Sequence, residues 1–253
     1  MKPMSKHAET VIVVGATSDI ARATAMELAG QYNLILAGRD RTELEAIAQD
    51  IVIRCECDVS TLMFEALNSN DHATFISECF EKTEKIAGAV ICHGFLPDQV
   101  QAQREWDLAR KTLDINFTSC VSVLEPLMER LEDQREGFLA VISSVAGDRG
   151  RQSNYLYGAA KGGLSLYLQG LRNRGQHSGV HVMTVKPGFV ATAMTVGIVD
   201  PKSPLVATPK QVARDIVRGI KKRKGVIYSR WFWRYIMLVI RSIPERIFKR
   251  LRL

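Results

Sequence analysis

The sequence predicts an α/β fold, a single doubly wound, Rossmann-type parallel sheet with helices on both faces. A chain of 253 residues, 46% apolar and 24% charged, has the size and composition of one large globular domain. Short apolar runs alternate with stretches of helical periodicity, in a strand–helix–strand cadence repeated six times. The strand candidates are continuously apolar, which is typical of a parallel sheet covered on both sides. A TIM barrel is the alternative, and it is disfavoured because two long helices follow one another before Phe138.

The period of the apolar residues and the positions of turn-forming residues assign the elements in order. The predicted strands occupy residues 10–14, 33–37, 51–57, 87–92, 138–142 and 180–185. The predicted helices occupy residues 20–28, 42–49, 72–85, 106–117, 121–133 and 155–174. We assign residues 1–229 to the Rossmann-type domain, with residues 193–209 as a probable substrate lid. Residues 230–253 form a basic amphipathic C-terminal segment rather than a separate domain.

The distribution of charge and cysteine narrows the function. The formal net charge is +7, but residues 210–253 hold 14 lysines and arginines against two acidic residues, so the remainder is mildly acidic. A nucleic-acid enzyme would carry its basic residues around the cleft, so we expect no nucleic-acid partner. The five cysteines are odd in number and show no zinc-ligand spacing, which favours reduced thiols, a cytoplasmic location and no metal. The first ten residues lack the apolar core of a secretory signal.

The turn after the first strand has the composition of a phosphate-binding turn. Gly15 ends the strand, and small residues then run into the start of a helix. Glycine lets the backbone approach a pyrophosphate, and the free N–H groups of the helix attract it. By itself this pattern fits a plain tight turn equally well. The candidate cofactor-binding residues of the turn are Gly15, Thr17, Ser18, Asp19 and Ile20.

The end of the second strand bears on which cofactor is bound. Gly38 leaves room there, and Arg39 offers a planar cation suited to a 2′-phosphate. This favours NADP(H) over NAD(H). Asp40 is the competing residue, since a small shift of the strand end would bring its carboxylate to a free ribose 2′-hydroxyl.

Four polar residues form a candidate catalytic set. Tyr157 and Lys161 are four residues apart on a predicted helix and share one face. A nearby ammonium favours the phenolate and would bring the tyrosine toward a useful pKa. Ser144 follows a strand, where a hydroxyl can hold a substrate carbonyl, and Asn116 completes the set. Taken singly, Tyr157 fits a core aromatic, Lys161 a surface residue and Ser144 a turn.

These residues resemble the short-chain dehydrogenase/reductase family. Tyr157 and Lys161 match its Tyr-x-x-x-Lys motif, with Ser144 thirteen and Asn116 forty-one residues before the tyrosine. The resemblance runs from about residue 11 to 192. It implies that Tyr157 exchanges the substrate proton, that Lys161 binds the nicotinamide ribose, that Ser144 steadies the substrate oxygen and that Asn116 positions a relay water. It further implies cofactor contacts at Asp58 and Val59 (adenine), Gly94, and Pro187, Gly188, Val190 and Thr192 (nicotinamide amide).

Two departures from the family pattern stand out. The Gly-x-x-x-Gly-x-Gly turn is here Gly15, Asp19 and Ala21, and a carboxylate beside a pyrophosphate is unfavourable unless it turns outward or caps the helix. The family's Asn-Asn-Ala-Gly is replaced by residues 91–94, where we expect His93 to bond the backbone. Neither change removes a catalytic group.

The predicted function is an NADP(H)-dependent oxidoreductase that reduces a ketone or aldehyde, or oxidises a secondary alcohol, by hydride transfer. A dinucleotide sensor with a vestigial site is one alternative, supported only by Asp19 and Ala21. An epimerase or dehydratase of the same superfamily is another, for which the chain is short. Apolar residues in the lid favour a bulky, apolar or lipid-linked substrate.

The sequence of the C-terminal segment predicts contact with a membrane surface. Trp233, Ile236, Ile240, Ile243, Ile247 and Leu251 recur at helical spacing among many arginines. The longest unbroken apolar run is six residues, too short to span a bilayer. We expect the stripe to lie peripherally on the cytoplasmic membrane face, ahead of the alternative that it packs on the protein or a sister subunit. A homo-oligomer formed through the helices at 121–133 and 164–174 is expected from the family resemblance alone.

Overall fold

The protein is described from a computed structural model, which covers residues 7–251. Nine strands and ten α-helices are found in this range. The strands are β1 (Thr10–Val14), β2 (Asn33–Gly38), β3 (Val59–Met63), β4 (Ile86–Ile91), β5 (Gly137–Ile142), β6 (Val180–Pro187), β7 (Phe189–Val190), β8 (Val206–Ala207) and β9 (Val226–Ser229). The helices are α1 (Asp19–Leu28), α2 (Arg41–Cys55), α3 (His72–Glu81), α4 (Gln99–Ala102), α5 (Trp106–Leu113), α6 (Ser119–Gln134), α7 (Tyr155–Ser178), α8 (Pro209–Lys221), α9 (Trp233–Ser242) and α10 (Glu245–Phe248).

Seven parallel strands form the central sheet in the order β3-β2-β1-β4-β5-β6-β9. The order reverses between β1 and β4, because the chain builds outward in one direction to β3 and then in the other direction to β9. Ligands of open parallel sheets bind at such a reversal, outside the carboxyl ends of the strands. The predicted Rossmann-type architecture is confirmed.

Two helical layers cover the sheet, as continuous apolar strands require. Helices α1, α2 and α8 pack on one face, around residues such as Val13, Leu36 and Ile216. Helices α3, α6 and α7 pack on the other, around residues such as Ile12 and Leu124. A separate two-stranded sheet pairs β7, which precedes the segment predicted as the lid, with β8, which lies within that segment.

The third strand lies later in the chain than predicted. Residues 51–55 are the last turns of α2, and β3 begins only at Val59. The β-branched run that suggested a strand is helical, with Ile51 buried on the sheet and Ile53 81% exposed. Glu56 ends the helix in the left-handed conformation, with φ 48°.

The C-terminal segment packs on the protein itself. Trp233 and Met237 of α9 are buried against Val145, with Ile236 and Ile240 partly covered beside them. The prediction that this stripe faces a membrane is therefore wrong for α9, since the protein's own body covers it. Within residues 7–251, no helix combines the length and hydropathy needed to cross a membrane.

Candidate active site

The phosphate-binding turn follows β1 and has the geometry expected of its sequence. Gly15 adopts φ +77°, and a Cβ added to it would lie 2.6 Å from the backbone nitrogen of His93. Ser18 caps α1 by accepting a hydrogen bond from the N–H of Ala21 at 3.3 Å. The turn thus requires glycine at its tightest point and directs the start of α1 toward the crevice, where an anion would find free N–H groups.

Asp19 turns away from this anion site. Its carboxylate accepts the backbone N–H of Ala193 at 2.9 Å, at the start of the segment predicted as the lid. The negative charge is therefore directed at the lid segment, which removes the electrostatic objection that its position raised. The contact also ties the first turn of α1 to the chain beyond β7.

The end of β2 presents an exposed cation. Asp40 caps α2, with its carboxylate accepting the N–H of Glu43 at 3.0 Å, so the competing acidic residue is occupied. Arg39 is exposed. A Cβ on Gly38 would meet the methyl group of Thr17 at 3.7 Å, which places Thr17 beside this strand end. Arg39 and Thr17 thus border the same part of the crevice.

Asp58 and Val59 do not reach the crevice, which corrects their predicted contact with adenine. Val59 pairs with Leu34 at the amino end of β2, and Gly38 at the carboxyl end pairs with Met63. The pair therefore lies at the opposite edge of the sheet. Phe64 and Glu65 occupy the predicted place instead, because Phe64 donates its N–H to the carbonyl of Gly38 at 2.8 Å.

A cleft of about 270 Å³ opens at this point. Arg39, Phe64, Glu65 and Asn68 are among its lining residues. A correct position for β3 would have identified Phe64 and Glu65 from the sequence, since they follow the strand directly.

His93 has a side-chain partner where a backbone partner was expected. Its Nε2 lies 2.7 Å from the hydroxyl of Ser119 and 3.4 Å from the sulfur of Cys120. Burial lowers the pKa of His93 to about 3, and the charge of Lys161 acts in the same direction. The imidazole is therefore neutral and part of the frame under β4, which does not suit it for a catalytic role at neutral pH.

The serine loop after β5 lies directly on α7. A Cβ on Gly147 would come within 2.5 Å of the backbone nitrogen of Gly162, and one on Gly158 would come within 2.9 Å of the carbonyl of Ala146. The loop and the helix thus meet through backbone contacts that larger residues would prevent. This close approach brings Ser144 near Tyr157, whose pKa the serine hydroxyl acts to lower.

The two adjacent serines have different roles. The hydroxyl of Ser143 is buried and donates to the carbonyl of Lys161 at 2.9 Å, next to Ser165 at 2.7 Å. The hydroxyl of Ser144 accepts the N–H of Ala146 at 3.1 Å and faces Tyr157. The geometry favours Ser144 as the residue that would hold a substrate oxygen.

Lys161 is a buried titratable group and Tyr157 a half-buried one. The Lys161 ammonium lies 6.0 Å from the Tyr157 ring centre and donates to the carbonyl of Ile142 at 2.9 Å. Burial raises the pKa of Tyr157 to about 12, while the hydroxyl of Ser144 acts in the opposite direction. Burial therefore outweighs the lowering that Lys161 was expected to produce. Burial also lowers the pKa of Lys161, with the Cys120 and Cys92 thiols acting against it.

Asn116 lies in a π-helical turn, Asp114–Thr118, between α5 and α6. Its amide nitrogen donates to the carbonyls of Phe95 at 2.6 Å and Thr112 at 2.8 Å, and its oxygen accepts the N–H of Phe95 at 3.1 Å. Backbone groups thus engage both amide hydrogens and one acceptor position of the side-chain oxygen. A Cβ on Gly94 would lie 3.1 Å from the Asn116 oxygen and 3.7 Å from the Lys161 ammonium, so these three residues meet.

The turn after β6 is enclosed by the C-terminal helix. A Cβ on Gly188 would lie 2.0 Å from the indole ring of Trp233, so only glycine fits beneath α9. Val190 is buried in β7, and the backbone N–H of Thr192 is held by the hydroxyl of Thr195 at 3.2 Å. Pro187, Gly188, Val190 and Thr192 therefore lie at or just after the carboxyl end of β6.

The structure thus assembles most of the predicted residues. Asn116, Ser144, Tyr157 and Lys161, here termed the tetrad, surround the space beyond β4 and β5. The sheet topology places the turns after β1, β2 and β6 along the same edge, and Asp58 and Val59 at the opposite one. No group of three or more metal-ligating side chains is found within the described part of the chain.

A half-buried tyrosine and serine beside a buried lysine, at the reversal of a Rossmann-type sheet, are typical of a class of dinucleotide-dependent oxidoreductases. Residues 9–203 match the model of the short chain dehydrogenase family. The chain belongs to this family.

Relatives and solved structures match the chain over nearly its whole length. An uncharacterised oxidoreductase of Mycobacterium tuberculosis is 30% identical over 244 residues, 96% of this chain and 97% of the relative. One of Streptomyces coelicolor is 30% identical over 257 residues, 99% of this chain and 98% of the relative. A short-chain dehydrogenase from Sphingobium yanoikuyae, solved in complex with NADPH, superposes with a TM-score of 0.77 at 21% identity, covering 94% of this chain and 97% of that one.

Proposed function

We propose that this family member is an NADP(H)-dependent carbonyl reductase that acts through the tetrad. The observation that carries the proposal is the meeting of Ser144, Tyr157 and Lys161 at the carboxyl edge of the sheet, with Asn116 fixed behind them. The residues also fit a dinucleotide, because Gly15 forms a cradle that a Cβ would fill. The turn at residues 15–20 would hold its phosphates, Arg39 a 2′-phosphate, and residues 187–192 its amide end.

The dinucleotide supplies or accepts the hydride when bound, and the protein's own groups handle the oxygen and its proton. The Ser144 hydroxyl holds the substrate oxygen. Tyr157 donates its proton to that oxygen in reduction, because a pKa of about 12 keeps the phenol protonated at neutral pH. Lys161 holds a positive charge beside the phenol and would bind the ribose. Asn116 keeps the π-helical turn and Phe95 in place, and any proton relay would pass its backbone carbonyl.

Replacement of the phenol tests the proposal. We expect Tyr157→Phe to lower kcat for ketone reduction by at least ~10²-fold, because the proton donor is lost. Tyr155→Phe is the matched control, since Tyr155 lies on the same helix but is exposed and bonds only Gln103 at 3.3 Å. The measurement is NADPH consumption with a panel of ketones. Wild-type turnover by the Tyr157 variant would refute the role of Tyr157 as proton donor. If the wild-type protein binds NADPH tightly but reduces no carbonyl, the alternative of a dinucleotide sensor would be favoured.

The preference for NADP(H) is a separate proposal that depends on Arg39. It is supported by the exposed guanidinium at the end of β2 and by the engagement of Asp40 as a helix cap. Arg39→Ala should weaken NADPH binding by ~1.5–3 kcal/mol, roughly 10- to 150-fold, and leave NADH binding nearly unchanged. Arg54→Ala, at the far end of α2 and paired with Asp50, is the control. An equal loss of affinity for NADPH and NADH would show that Arg39 has only a structural role.

We also propose that the protein lies in the cytoplasm and touches the cytoplasmic face of the membrane through a surface termed the α9 outer face. It consists of Tyr235, Leu238 and Val239 of α9, together with Trp231 just before the helix. These four residues are 58–73% exposed, opposite the buried Trp233 and Met237. Arg230, Arg234 and Arg241 border them, and interfacial aromatics with arginines suit an anionic lipid surface at ~1 kcal/mol per cation.

Vesicle binding tests the α9 outer face. Wild-type protein should co-sediment with phosphatidylserine-containing vesicles at low salt and dissociate at high salt. The double variant Leu238→Glu with Val239→Glu should remain in the supernatant. Ile53→Glu is the control, because Ile53 is even more exposed, at 81%, but lies on α2. Equal sedimentation of all three proteins would refute the contact.

A homo-oligomer through α6 and α7 completes the proposal. Leu166 on α7 is 68% exposed, and Arg174 of α7 pairs with Glu125 of α6 on the same outer surface. Leu166→Arg should convert a dimer or tetramer to a smaller species in light scattering. A monomeric wild-type protein would refute this part.

A further inference from the structure

Six buried side-chain polar atoms lack a hydrogen-bond partner among residues 7–251, and three of them belong to residues at or just before the start of α7 or bonded to it. These three are Nε2 of Gln99, Nε of Arg151 and Oδ1 of Asn154. Buried polar atoms in proteins are almost always paired, because an unpaired one costs about 1–3 kcal/mol. Three of them at the start of the helix that carries Tyr157 indicate a ligand that completes them.

Hydrogen bonds and chain position bring the three residues to the start of α7, the helix that carries Tyr157. Gln99 begins α4 and is 8% exposed, and its Oε1 accepts the N–H of Leu156 at 3.2 Å. Asn154 precedes the first residue of α7, and its own N–H bonds the carbonyl of Arg151 at 3.2 Å. Gln99 is therefore held next to the residue that precedes Tyr157, and the other two lie in the turn before it.

Arg151 is available as a donor. Its nearest acidic influence, Asp148, is already occupied by Lys186 at 2.5 Å and by the hydroxyl of Tyr228 at 2.8 Å. No ion pair of Arg151 is found among residues 7–251. Burial lowers the pKa of this guanidinium, and the charge of Asp148 offsets that lowering only in part.

The chemistry of the three atoms selects hydroxyl groups. The Gln99 amide and the Arg151 guanidinium donate, and the Asn154 oxygen accepts. A hydroxyl both donates and accepts, so two or three neighbouring hydroxyls would pair all three atoms. A hydrocarbon group would leave the three atoms unpaired, so a site of this kind should bind a ligand without hydroxyls much more weakly.

We propose that Gln99, Arg151 and Asn154 form a subsite for a polyhydroxylated, sugar-like part of the carbonyl substrate. The inference rests on the proposed reductase function and adds the substrate class. The lid segment presents exposed apolar side chains, including Val196 and Ile198. The substrate is therefore amphiphilic, with hydroxyls beside α7 and an apolar part toward the lid.

A matched pair of ketones tests the subsite. Erythrulose and butan-2-one share a four-carbon skeleton and differ in three hydroxyls. We expect wild-type kcat/KM for erythrulose to exceed that for butan-2-one by roughly 10- to 100-fold. Gln99→Leu and Asn154→Leu should each reduce this ratio about tenfold. Asn154→Leu removes no helix cap, because the Asn154 side chain makes no capping hydrogen bond.

Gln101→Leu is the matched control. Gln101 lies on the same helix as Gln99, but it is exposed and its amide bonds Glu105 at 3.1 Å. Its substitution should leave the ratio unchanged. Equal loss of both ketones in the Gln99 variant would mean a structural role and would overturn the subsite.

Binding of ribitol separates the subsite from the reductase function, since it needs no turnover. Ribitol should raise the Tm of the full-length wild-type protein and have no effect on the Gln99→Leu variant. A ribitol shift in a protein that reduces no carbonyl would retain the subsite and reject the reductase. Reduction of both ketones at equal efficiency, with no ribitol shift, would retain the reductase and overturn the subsite.

Discussion

Loss of Arg149 should release the C-terminal helices from the body of the protein. Its guanidinium donates to the carbonyls of Ile240 at 3.1 Å, Arg241 at 2.9 Å and Ile243 at 2.6 Å, at the end of α9. The same group bonds Glu245 at 2.9 Å and lies 3.9 Å from the ring centre of Phe248.

The expected size of the effect follows from these contacts. A hydrogen bond to a charged group contributes about 1.5–3 kcal/mol, but bonds that share one donor group do not add. The buried Trp233 and Met237 still hold the first half of α9 in the variant. We therefore expect Arg149→Ala to lower the free energy of local opening of residues 238–248 by about 2–4 kcal/mol.

Hydrogen–deuterium exchange measures that opening directly. Amides of residues 238–248 should exchange about 30- to 800-fold faster in the variant, while those of β1 and β5 keep their protection. Glu245→Gln is the control, because Glu245 is 76% exposed and its ion pair with Arg149 should contribute less than ~1 kcal/mol. Unchanged protection in Arg149→Ala, or an equal effect of both substitutions, would refute this reading.

Three further outcomes are expected. Gly15→Ala should weaken NADPH binding at least ~10-fold and lower the Tm, because the new Cβ must displace the backbone near His93. Ser144→Ala should lower kcat ~10²-fold with an unchanged Tm, whereas Ser143→Ala should lose ~1–2 kcal/mol of stability, measured by urea unfolding, and retain kcat. Because the pKa of His93 is lowered to about 3, its contribution to stability is present above pH 6.5 and lost as the pH falls toward 3. At pH 4.5 the free energy of unfolding, measured with urea, should therefore be lower by about 2–3 kcal/mol. His93→Asn should not show this acid-dependent loss, whereas the surface control His177→Asn should show it as the wild type does.

The sequence predicts elements well where one residue pattern has one structural meaning. Continuous apolar runs ending in glycine, such as those before Gly15 and Gly38, are strands in the structure. The run at residues 51–53 has two meanings, because β-branched residues also occur in helices. Leu44, Ile47 and Ile51 recur at helical spacing and are buried together, and this longer pattern outweighs the local β propensity.

The candidate site is predictable to the extent that its groups are set by local spacing. Tyr157 and Lys161 lie on one helix, so four residues of sequence place them together. Contacts between distant segments leave no such pattern. The replacement of Asp58 by Phe64 depends on strand register, and the contact of Trp233 with Gly188 joins residues 45 positions apart.

The C-terminal segment is a structural part of the active site as well as a surface feature. Trp233 and Met237 pack on Val145, the residue next to Ser144, and the Trp233 ring covers Gly188 in the turn after β6. Removal of residues 230–253 would therefore expose the serine loop and this turn together. A truncated protein that no longer binds vesicles could have lost either the membrane contact or the order of its active site. The α9 outer face can be altered without touching the inner one, since its side chains point away from the body. Substitutions on the outer face therefore separate membrane contact from catalysis. If vesicles alone change kcat, the contacts of Trp233 with Gly188 and Val145 are the structural connection between α9 and the site.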